Sequence, residues 1–98
     1  MVKHIIWKQA AERTFDVITI HLHEAYSLQT AHNFAKLVYE KIDRLAKQPL
    51  SGPRVIGRKT LRYVNFGKNY KMYYRVVGTT LVISNFFDTR RNPDSSPF

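Results

Sequence analysis

The feature that most constrains this chain is a change of hydrophobic period at residues 49–60, PLSGPRVIGRKT. Before it, apolar residues recur at helical spacing. After it, they alternate in twos. Two Pro and two Gly in these twelve residues mark a loop. Too little chain follows to build a second domain, so the loop joins two halves of one domain of 98 residues.

On the helical side, Ala11, Phe15, Ile18 and Leu22 fall on one stripe, with Glu12, Arg13, Asp16 and Thr19 opposite. This predicts a helix beginning near Gln9. A second stripe, Ala31, Phe34, Ala35, Val38, Ile42 and Leu45, predicts a longer helix that Ser27 caps and Pro49 stops. A short link makes the two helices a hairpin. VKHIIW (2–7) reads as a short strand ahead of them. On the other side, LRYVNF, YKMYYRVV and LVISNFF, separated by GKN and GTT, read as a three-stranded meander. The order is β-α-α-β-β-β, an α+β fold with a helical hairpin on one face of a small antiparallel sheet.

Charge is distributed unevenly. Residues 1–45 carry six Lys/Arg and five Asp/Glu; residues 46–98 carry ten Lys/Arg and only Asp88 and Asp94. Nearly all of the net +9 therefore belongs to the sheet half, which draws anionic partners, either nucleic acid or an acidic protein. In residues 70–77, Tyr70, Met72, Tyr74 and Val76 alternate with Lys71, Tyr73, Arg75 and Val77. Unpaired cations are too costly to bury. Lys71, Tyr73 and Arg75 are thus expected on the open side of the sheet. Arg62 is expected beside them, and Arg90 and Arg91 at the rim. Cations interleaved with aromatics can contact phosphates and stack on bases.

Other chemistry is thinly represented. There is no cysteine, which excludes disulfides and cysteine–zinc sites and fits a reducing cytoplasm. No phosphate-binding glycine motif occurs. His21 and His23 are two apart on a helix and do not share a face. Neither a metal nor a cofactor is expected. The segment MVKHIIWK is too short and interrupted for a signal peptide, and no apolar run is long enough to span a membrane. Cleavage of RNA by its own 2′-hydroxyl stays open, because Lys and Arg clusters stabilise a dianionic phosphorane. Lys71 would act as its base only if Arg62 and Arg75 depressed its pKa.

Several segments together resemble the RelE/ParE superfamily, toxins of type II toxin–antitoxin modules. They are IIW (5–7), Ala11 and Ile18 on the first helix, LAKQPLSG (45–52), LRYV (61–64), YKMYYRV (70–76) and FFDTRRNP (86–93). The resemblance implies a helical hairpin on an antiparallel sheet. It also implies an antitoxin whose acidic, amphipathic C-terminal segment wraps the toxin. In the RelE-like branch, which cleaves mRNA on the ribosome, Arg62, Lys71 and Arg91 fall on catalytic basic positions. There Val64 replaces a second strand Lys, and NPDSSPF supplies no C-terminal Tyr or His. The long second helix and the P-x-x-G loop (Pro49, Gly52) look more like the ParE-like branch, which poisons DNA gyrase. That branch is the favoured reading. The ribonuclease is the alternative, and a basic nucleic-acid-binding domain without toxicity is a third. The binding set in any of these is Arg62, Lys71, Tyr73, Arg75, Arg90 and Arg91.

Overall fold

The computed structural model describes residues 2–90. Helix α1 spans Gln9–Ala25 and helix α2 Leu28–Lys47. Ser27 caps α2 as its position suggested: its Oγ accepts from the Thr30 N–H at 3.0 Å. At the other end Gln48 takes φ −134° and ψ 71°, outside the helical region, as the residue before a proline is driven to do. The predicted stripes are the buried ones. Ala11, Ile18 and Leu22 of α1 and Ala31, Phe34, Val38, Ile42 and Leu45 of α2 all belong to the core.

Strands β1 (His4–Trp7), β2 (Arg62–Phe66), β3 (Tyr70–Val77) and β4 (Thr80–Asp88) form one sheet in the order β1-β4-β3-β2. The last three make the expected antiparallel meander. A two-residue turn joins β3 to β4, and Gly78 there takes φ +61°, which its lack of a side chain permits. β1 departs from the antiparallel expectation. It lies parallel to β4, with Ile5 opposite Leu81 and Trp7 opposite Ile83, so the sheet is mixed. Tight turns dictate direction for the meander, but β1 reaches the sheet only through the helical hairpin, and such a connection leaves either direction open.

A register shift between Tyr73 and Tyr74 inserts Ser84 between Ile83 and Asn85 of β4. This bulge absorbs one residue. As a result Leu81, Ile83 and Phe86 all reach the core although the last two are three apart. An aromatic group tightens the packing: the Trp7 and Phe15 rings meet edge-to-face with centroids 5.4 Å apart, and Trp7 lies 5.5 Å from Phe86.

Candidate interaction surfaces

Register decides where each cation goes. Directly opposed residues of paired strands share a face. Lys71 opposes Asn65 and Phe87, Tyr73 opposes Tyr63, and Arg75 opposes Val82. These residues lie on the side of the sheet away from Tyr70, Met72 and Tyr74, which are in the helix-covered core. Lys71, Tyr73 and Arg75 therefore occupy the open face as predicted. Lys71 Nζ stands 4.5 Å above the centroid of the Tyr63 ring, close enough for cation–π attraction. The Tyr63 and Tyr73 rings are 6.3 Å apart. Arg75 donates from Nη1 to Thr60 Oγ1 at 3.1 Å, while its buried Nε finds no acceptor. Tyr73 is only 6% exposed, and burial, followed by the neighbouring Tyr63, raises its pKa above the usual tyrosine value.

Arg62 is not part of this surface, contrary to the expectation. It opposes Tyr74, and its same-face neighbours Val64 and Phe66 are buried in the core. Its guanidinium is satisfied at the sheet edge, where Nη1 donates to the carbonyls of Gly52 (2.7 Å) and Leu50 (3.1 Å). Excluding an unpaired cation from the core was sound, but these loop carbonyls supply the partners. The parity of Arg62 with Val64 and Phe66 was the signal in the sequence that pointed to this face.

Arg90 is likewise separated from Lys71. Asp88, which opposes Tyr70, accepts from the Arg90 backbone N–H at 3.0 Å and from its Nε at 3.2 Å. Arg90 Nη2 also donates to the Tyr70 hydroxyl at 3.0 Å. The side-chain hydrogen bond that Arg90 donates to Asp88 raises the Arg90 pKa above its ordinary value. Burial raises that of Tyr70, with Arg90 opposing. Arg91 lies outside the described residues. The catalytic set implied by the RelE-like resemblance is therefore not assembled: Arg62 and Lys71 are on opposite faces, and Arg62 is not the neighbour that a Lys71 base would require.

A rigid loop was not legible as such. The Tyr74 hydroxyl, buried beneath it, donates to the Pro49 carbonyl at 2.8 Å and accepts from the Gly52 N–H at 3.0 Å. Together with Arg62, it holds the P-x-x-G segment at four backbone groups. Burial is the leading cause of a raised Tyr74 pKa, partly offset by the Gly52 bond and Arg62. The chain then runs beside β2: Tyr63 N–H donates to the Pro53 carbonyl at 3.1 Å, and Arg54 bridges Arg62.

Among the described residues, no group of three or more His, Asp or Glu side chains could hold a metal ion. Among the same residues, no helix is long and apolar enough to cross a membrane.

The frame is thus a two-helix hairpin on a mixed four-stranded sheet, with a basic sheet half. The sequence profile for the ParE toxin of type II toxin–antitoxin systems, parDE, matches residues 5–93. The chain belongs to that family. No curated protein sequence matches it significantly. Among solved structures, it is similar to a chain of the chromosomal ParDE toxin–antitoxin system from P. aeruginosa, with a TM-score of 0.72 and 18% identity over 89% of this chain and 96% of the other. At that identity the likeness concerns the fold.

Proposed function

We propose that this toxin acts by binding and inhibiting DNA gyrase in the cytoplasm, performs no bond chemistry itself, and is neutralised by a cognate acidic antitoxin. Membership of the ParE toxin family carries this reading. The charge pattern supports the antitoxin: a sheet half with ten Lys/Arg against two Asp/Glu is complementary to an acidic, amphipathic segment. The separation of Arg62 from Lys71 favours a binding protein over a ribonuclease, because electrostatic stabilisation of a phosphorane requires its cations around one phosphate. Lys71 and Arg75, on the open face beside the buried Tyr73, are the surface offered to the target.

The reading is tested with the purified chain in two parallel assays. Negative supercoiling by gyrase should be inhibited in a dose-dependent way, and coupled translation on ribosomes should proceed with intact transcripts. Codon-specific cleavage of mRNA with gyrase unaffected would replace it with the ribonuclease.

A further inference from the structure

At the border of the sheet, the end of α2, the clamped loop and the outer edge of β2 form a cleft of about 380 Å³. Lys41 and Arg44 line it from the helix, Gln48 and Ser51 from the helix end and loop, and Tyr63 and Asn65 from the strand. Among the described residues no carboxylate lines it, and neither Lys41 nor Arg44 is within ion-pair distance of one. Its volume is within the range of about 300–1,000 Å³ found for small-ligand sites. The dipole of α2 accounts for a cation in its last turn. It does not account for the exposed amide of Gln48 and hydroxyl of Ser51 beside the two cations. Two cations flanked by the Gln48 amide and the Ser51 hydroxyl make a donor set suited to phosphate oxygens.

The geometry also disfavours an extended acidic peptide as the occupant. A peptide that bound by adding a strand would have to pair with the outer edge of β2. That edge is already closed along its first half by the Tyr63–Pro53 hydrogen bond and the Arg54–Arg62 bridge. A phosphate needs no edge. Arg54, adjacent in the chain to the lining Pro53, is exposed and adds a third cation for a strand leaving the cleft. In the opposite direction an adjoining groove of about 190 Å³ passes Glu40, which repels a continuing phosphodiester and limits the anionic footprint. We propose that this cleft binds a backbone phosphate of a nucleic acid, independently of whether gyrase is the target.

The test is fluorescence anisotropy with a labelled DNA duplex of about 20 base pairs at stepped salt concentrations, with amide shifts of Ser51, Gly52 and Asn65 followed by NMR. For the wild type, affinity should fall with salt. The Lys41→Ala/Arg44→Ala double variant should bind at least about tenfold more weakly, with the log–log salt slope reduced by about one, since one phosphate contact contributes about 0.9. Lys3→Ala/Lys8→Ala removes the same charge elsewhere and should bind as the wild type does. If the double variant melts early, Arg44→Glu at an exposed helix position provides the same comparison. Equal weakening in the cleft and control variants would overturn the proposal. So would perturbation of the cleft amides by inorganic phosphate without duplex binding, which would leave a free anion as the ligand. Protection of those amides by an acidic peptide alone would overturn it as well.

Discussion

A β-carbon at Gly52 would meet the Tyr74 hydroxyl oxygen at 2.5 Å and the Tyr63 carbonyl oxygen at 2.7 Å. Neither neighbour is free to move, since the hydroxyl is bonded to Pro49 and the carbonyl belongs to a strand. Gly52→Ala should therefore destabilise the protein by about 1–3 kcal/mol, read from urea unfolding. Tyr74→Phe leaves the Gly52 N–H and Pro49 carbonyl without their partner and should cost about 1–3 kcal/mol. Tyr70, Tyr73 and Tyr74 all have raised pKa values, chiefly through burial. The unfolded chain ionises its tyrosines near 10.0, while the folded chain resists until higher pH. Their contribution is thus fully present below about pH 10 and is lost as pH climbs above it. Unfolding midpoints should fall on going from pH 8 to above 10, and less steeply in Tyr74→Phe. A flat profile through that range would contradict the burial of these hydroxyls. None of this network was visible in the sequence, because a tyrosine at an inward strand position reads as apolar bulk, and its hydroxyl partner lies 25 residues away at Pro49.

At the scale of elements, periodicity carried most of the fold. Ile42 shows why: it belongs to an unbroken helical stripe, and its exposure is 3%. Ile42→Ala should cost about 2–5 kcal/mol, and a melting curve like that of the wild type would show the helix to be wrongly phased. The strands were legible where tight turns link them. Two features were not. The direction of β1 depends on a long-range docking that no local pattern encodes. The bulge at Ser84 is one residue long and leaves no signature beyond three uneven apolar positions. The site was read less well than the fold for a related reason. Alternation placed Lys71, Tyr73 and Arg75 correctly, but Arg62 was assigned by its charge instead of by its parity with Val64 and Phe66, and its loop partners were invisible.

For the molecule as a whole, the two kinds of cation should separate experimentally. Under the proposed function, Lys71→Ala/Arg75→Ala removes charge from the open face and should weaken gyrase inhibition at least about tenfold, a loss of about 1.4 kcal/mol, with the melting temperature little changed. Arg62→Ala should act in the reverse manner, lowering the melting temperature by freeing the Gly52 and Leu50 carbonyls while the properly folded fraction still inhibits. If Arg62→Ala abolished inhibition at unchanged stability, Arg62 would have to be moved back into the binding surface. Fold and charge thus divide the work: the helical half supplies a nearly neutral support, and the sheet half carries the field.

The segment running from Pro53 to Val55 beside β2 has a consequence for how this chain behaves in a crowded solution. A sheet whose outermost strand offers a bare row of amides and carbonyls invites a neighbouring copy to extend the ladder, and repetition of that step leads to fibres. Here the chain shields its own border, Thr14 caps the Phe86 amide on the far side at 3.0 Å, and β1 is four residues long. Self-templated growth is hindered along the first half of β2 and beside Phe86, and mutual repulsion between copies bearing a net charge of +9 works in the same direction.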